Sequence, residues 1–167
     1  TLYLKTLSIR EKALGPEHPD MASIFNNLAL LYNDLNLNTK AESLYLKALS
    51  IREKVLGPEH RDTAITLGSL GLLYTSQGSY SKAEPLYIRA LNITEKIFGP
   101  EHRDTAGYLD LLSGLYSRKG LYSKAIPIQQ RALDIRKKSL GFNHPDTGVS
   151  YFNLGSLYSK QCFYDKA

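Results

Sequence analysis

Apolar positions recur along this chain at helical spacing, and the pattern as a whole returns every 42 residues. Leu44, Tyr45, Ala48, Leu49, Val55 and Leu56 fall on one helical stripe, and Leu67, Leu70, Gly71 and Tyr74 follow at i, i+3, i+4 and i+7. Residues 41–82 and 83–124 are identical at 25 of 42 positions; 125–167 form a third unit, and 1–40 a unit lacking its first two positions. A period of this length denotes a solenoid or a propeller. A propeller blade needs several short alternating strands, whereas the period here is helical, so each unit holds two helices. The chain therefore reads as one all-α array over 1–167, with short helices over 20–35, 62–77, 104–119 and 146–161 and longer ones over 1–14, 38–56, 80–98 and 122–140.

The corners repeat as strictly as the stripes. "LGPEHPD" (Leu14–Asp20) returns as "LGPEHRD" (Leu56–Asp62), "FGPEHRD" (Phe98–Asp104) and "LGFNHPD" (Leu140–Asp146). Its glycine stands where a long helix must end in a backbone conformation with positive φ, and the proline after it in three copies blocks continuation. Asp20, Asp62, Asp104 and Asp146 sit just before the next helix, where a carboxylate accepts from free backbone N–H groups. The second corner falls at Asn36, Gly78, Gly120 and Cys162; cysteine tolerates positive φ poorly, so the last turn is expected to differ. Pro85 and Pro127 fall early in two long helices, which predicts a late start or a bend there.

Small residues stand at Ala29, Gly71, Ser113 and Gly155, each three before a tyrosine (Tyr32, Tyr74, Tyr116, Tyr158). Nine residues beyond each tyrosine comes an alanine (Ala41, Ala83, Ala125, Ala167), then an aromatic at Tyr45 and Tyr87 and a second alanine at Ala48, Ala90 and Ala132. With these slots, "HPDMASIFNNLALLY" and "AEPLYIRALNITEKIFG" resemble the tetratricopeptide repeat in its 42-residue, kinesin-light-chain-like form. The resemblance covers essentially the whole chain. It implies a right-handed superhelical solenoid of antiparallel helix pairs whose shorter helices line a concave side, and a protein-interaction role rather than an enzymatic one. The physical role of the slots stands without it: helices approach closely only over small side chains, and a leucine at Ala29 would overpack the seam at a cost of ~1–3 kcal/mol. The tyrosines read as packing.

The resemblance places a peptide or partner surface in the concave groove. The groove residues are then Ser23, Asn26, Asn27, Leu30 and Asn33; Ile65, Leu72 and Thr75; Asp110 and Ser117; and Val149, Phe152 and Asn153. These slots vary between units while the packing slots repeat. The "NNLA" segment is whole at Asn26–Ala29 and reads Gly68-Ser69-Leu70-Gly71, Asp110-Leu111-Leu112-Ser113 and Phe152-Asn153-Leu154-Gly155 in the later units. No Lys or Arg occupies a groove slot.

Composition narrows the chemistry. Of 167 residues 43% are apolar, as in a folded protein, and no run approaches the ~18 apolar residues of a membrane span. With one cysteine, Cys162, neither a disulfide framework nor a cysteine-based zinc site arises, and a reducing cytoplasm is the expected setting. His18, His60, His102 and His144 are one unit apart, two helix spacings of about 8–10 Å. Metal–nitrogen bonds are about 2 Å long, so these histidines share no ion, and a local turn role is expected of each. No Gly-x-Ser-x-Gly turn follows a strand, and the glycines follow the repeat rather than a phosphate loop. The chain is thus read as having no catalytic residues, metal or cofactor. Net charge is +5, with seven basic residues and one acid between Arg118 and Lys138, read first as a solvated basic face. The groove slots hold no basic reading residues, which weighs against nucleic acid.

The function expected is a protein–protein interaction scaffold. The alternative is a sensor arm of a larger signalling protein, and a third reading is a self-assembling spacer. Thr1 opens inside a long helix and Ala167 stops at the start of another, so a slice of a longer array is expected, with apolar end faces that could pair end to end.

Overall fold

A computed structural model describes residues Leu2–Tyr164; Thr1, the first residue of the expected opening helix, and the alanine slot at Ala167 lie outside them at their ends. Eight helices are present among the described residues: α1 Leu2–Leu14, α2 Pro19–Asp34, α3 Asn38–Val55, α4 Arg61–Ser76, α5 Tyr80–Phe98, α6 Arg103–Arg118, α7 Tyr122–Leu140 and α8 Pro145–Tyr164. Helices α2, α4 and α6 hold 16 residues each and α3, α5 and α7 hold 18 or 19, as the 42-residue period requires, whereas α1 spans 13 and α8, expected as a short helix over 146–161, runs to 20. They fall into two compact units, α1–α4 and α5–α8.

Each short helix starts on a histidine. His60 has extended backbone (φ −78, ψ 148), and its Nδ1 accepts from the Asp62 backbone N–H at 3.1 Å. His18, His102 and His144 make the same bond to Asp20, Asp104 and Asp146 at 3.1–3.2 Å. The aspartates therefore do not cap: they lie inside the first turn. The imidazole reaches the orphan N–H from two residues earlier, and the aspartates act through charge near the helix N-terminus. A threonine ties the corner from the far side, Thr63 Oγ1 donating to the Gly57 carbonyl at 2.9 Å, a contact that recurs at Thr105 and Thr147.

Gly57 stands at φ +102 where α3 ends, and Asn36 at φ +58 where α2 ends. At the second corner the Leu37 N–H reaches back to the Tyr32 carbonyl (2.8 Å) and the Ser79 N–H to that of Tyr74 (2.8 Å), closing Schellman-type ends. The corner expected at Cys162 does not form. Helix α8 runs through it to Tyr164, because a cysteine offers the chain no inexpensive positive φ. Pro85 and Pro127 stand inside α5 and α7, which begin at Tyr80 and Tyr122, so neither helix starts late.

In the first unit Met21, Ala22 and Phe25 of α2 pack with Ala48 and Ile51 of α3. Ala29, Ala41 and Gly71 are buried, as close helix approach demands. In the second unit Ser113 fills the small slot and spends its hydroxyl on the Ala125 carbonyl at 3.1 Å. Tyr45 and Tyr87 are fully buried. Tyr74 and Tyr116 lie along the helices with their hydroxyls donating to Glu42 (2.6 Å) and Glu84 (2.8 Å). Burial, and then the carboxylate it meets, push the Tyr74 phenol up to about 12. No helix of the described residues is long and apolar enough to cross a membrane.

Candidate functional site

The short helices turn one face to the long helices and the other outward, and the groove residues sit on or beside that outward face. In the first unit Ser23, Asn27 and Leu30 of α2 are exposed, Leu30 by 51%, with Asn26 and Asn33 half-buried. On α4 Ile65 and Leu72 are exposed by 40% and 49%, and Thr75 is half-buried with its hydroxyl bonded to the Gly71 carbonyl. In the second unit Val149 and Phe152 of α8 are exposed, Phe152 by 77%, while Asp110, Ser117 and Asn153 are half-buried.

Under these faces lie two arginines that sequence reading missed. Arg52 of α3 is 6% exposed. Its guanidinium donates to the Asp62 carbonyl, to Thr66 Oγ1 and, at 3.4 Å, to Ser23 Oγ: three neutral oxygens. Burial pulls its pKa below the ordinary arginine value, and the charge of Asp62 only partly restores it. Two repeats on, Arg136 holds the same slot and donates to Ser150 and to the Asp110 carboxylate. Asp110 corresponds by the repeat to Asn26, whose Oδ1 is buried without a hydrogen-bond partner. Asp110 also accepts from Gln129 Nε2 at 2.8 Å, so it is not a free groove carboxylate: it is spent inside the second unit.

Asp110, Ser117 and Asn153 come together around a pocket of ≈ 390 Å³, with Gln129 at its base and Arg118 and Lys160 at its edge. Basic side chains thus stand at this opening, Arg118 one residue beyond the groove slot Ser117 and Lys160 one repeat further on. The signal was available: Gln129 interrupts a slot that reads tyrosine at Tyr45 and Tyr87.

The basic stretch between Arg118 and Lys138 is largely neutralised within its own unit. Lys119 pairs with Glu84 (2.7 Å), Lys138 with Glu101 (2.6 Å) and Arg136 with Asp110. Arg131 faces Glu95 Oε1 at 2.6 Å as an ion pair without an aligned hydrogen bond. Lys124 lies over the Tyr116 ring. Each histidine Nδ1 is occupied by its backbone N–H, and no three His, Cys, Asp or Glu side chains among the described residues group as metal ligands.

Comparison with known proteins agrees with this architecture. Family models described as tetratricopeptide repeat match residues 20–96, 73–138 and 108–167, and a second such model residues 1–20. Among solved structures the chain is similar to BtubC (BKLC) from P. vanneervenii, at 27% identity and a TM-score of 0.85, over 99% of this chain and 66% of that one. It is similar in fold to a Podosopora anserina protein described by its kinesin light chain, nearly identical TPR-like repeats, at 23% identity and a TM-score of 0.84, over 99% of this chain and 78% of that one. It is also similar in fold to the apo form of RapI, at 19% identity and a TM-score of 0.78, over 97% of this chain and 58% of that one. The chain thus spans between 58% and 78% of the length of these structures. A search of curated protein sequences returns no significant match. With family models covering more than half of its length, eight alternating helices and a solenoid fold shared with kinesin-light-chain-like structures, the chain belongs to the tetratricopeptide repeat family, whose members are generally non-enzymatic protein-interaction scaffolds.

Proposed function

We propose that this chain binds an extended or helical segment of a partner protein along the outward faces of its short helices. The observation that carries this reading is the set of large aliphatic side chains those faces leave in water: Leu30, Ile65 and Leu72 in the first unit. The same helices bury their opposite faces almost completely, so these residues contribute little to the fold. Burying such a side chain from full exposure is worth roughly 1.5–3 kcal/mol, and with about half of each still in water a docked segment would recover roughly half of that.

The test is co-purification of partners from the producing cell, quantified for the wild-type chain and for a Leu30→Asp/Leu72→Asp variant. The reading expects the enriched proteins to be lost from the variant while its helical circular dichroism and melting temperature are kept. Equal recovery by the two chains would show that the short-helix face is not the docking surface.

A further inference from the structure

The pocket in the second unit is a departure from the repeat. Slot by slot, Tyr45 and Tyr87 give way to Gln129, and Leu30 and Leu72 give way to Gly114 and Ser156. Each replacement is smaller than the fully buried tyrosine or half-exposed leucine at the same slot, and a Cβ placed on Gly114 meets nothing within 4 Å. Gln129 and Ser156 are polar, which a merely eroded core would not select, since burying a polar group without a partner costs free energy.

Gln129 is 2% exposed and lines the base of the pocket. Its Nε2 is committed to Asp110, and its Oε1 takes no hydrogen bond among the described residues. Asp110 is neutralised by Arg136. The base therefore presents acceptors with no net charge to offer. A methyl group would leave the Gln129 carbonyl unpaired, a carboxylate would face two sets of acceptor oxygens, and a cation would find the aspartate already compensated. Asn153 and Ser156, on the wall, supply donors as well as acceptors. Arg118 and Lys160, which are one repeat apart on α6 and α8, are exposed at the opening.

We propose that this pocket receives the carboxamide side chain of an asparagine or glutamine in a bound segment, while acidic neighbours of that residue meet Arg118 and Lys160. The inference rests on the segment-binding reading above and adds to it a specificity pocket. The carboxamide N–H group donates to Gln129 Oε1, and its carbonyl accepts from Asn153 or Ser156. Such a pocket discriminates through the hydrogen bonds that an analogue lacking them leaves unmade.

The probes are three blocked acidic peptides, identical except for one central residue: glutamine, methionine or glutamate. Each is titrated into the 167-residue chain and followed through the side-chain amide resonances of Gln129 and Asn153. The glutamine peptide is expected to shift both saturably and to bind at least about tenfold more tightly than the methionine or glutamate peptide. Gly114→Leu and Gln129→Tyr restore residues that the repeat itself uses at these slots. Each is expected to keep the melting temperature and to abolish the preference for glutamine. Replacing Arg118 and Lys160 by serine should weaken all three peptides alike and leave the preference intact. Equal binding of the three, a preference that survives both filling variants, or no saturable shift with any peptide would overturn the proposal. None of these outcomes touches the segment-binding reading, which depends on Leu30 and Leu72 and is decided by the co-purification.

Discussion

Arg52 and Arg136 hold one slot two repeats apart, and what each touches sets its energetics. Arg136 meets the Asp110 carboxylate, whereas Arg52 meets only neutral oxygens, with an asparagine at the slot that Asp110 fills later. Two exchanges of opposite sign follow. Asn26→Asp supplies the missing carboxylate and is expected to stabilise the chain by about 1 kcal/mol at pH 7, a gain that disappears below about pH 4 as the new carboxyl protonates. Asp110→Asn strips a half-buried pair and should cost about 2 kcal/mol, below the figure for full burial because the two side chains keep 12% and 21% of their surface. Urea unfolding of the two variants checks both, and shifts of the same sign would contradict this account of the slot. Glu84 adds a dependence on pH. The hydrogen bond from Lys119, and then that from Tyr116, hold its pKa below the ordinary carboxylate value against the opposing effect of burial. Its contribution is therefore present above about 4.5, where the unfolded chain titrates, and is lost as pH falls through the lower folded value. Glu84→Gln should destabilise by about 1 kcal/mol at pH 7 and by little at pH 3, read from melting curves at the two values.

At the scale of the element, the corner carries the stability argument. His60 caps α4 through Nδ1, so His60→Ala should cost about 1 kcal/mol, while His60→Asn, which keeps a short acceptor at the cap position, should recover most of it. Thermal melts of the two variants separate the cap from mere loss of the ring. Helix limits were legible in the sequence because their signals are local and written four times: the spacing predicts 62–77 and 80–98, and the structure holds Arg61–Ser76 and Tyr80–Phe98. Which side chain caps was misjudged, since aspartate and histidine both stand near the helix start and only the backbone geometry selects the imidazole. The buried arginines and the pocket were missed for a different reason. A repeat comparison shows that Gln129 and Gly114 differ from their counterparts, but whether such differences open a space, or whether Asp110 points out or pairs inward, depends on packing between helices far apart in sequence.

For the whole molecule, stability divides among packing slots that recur, and the proposed binding falls to slots that do not. Small residues and tyrosines are reused because every seam between helices poses the same steric problem. Leu30, Ile65, Leu72, Val149 and Phe152 answer no such problem, and the proposed docking surface rests on their exposure. Hydrogen–deuterium exchange of the chain alone and with a co-purified partner measures this directly. The account predicts new protection in α2, α4, α6 and α8, with α3, α5 and α7 unchanged. Protection confined to the long helices would contradict it.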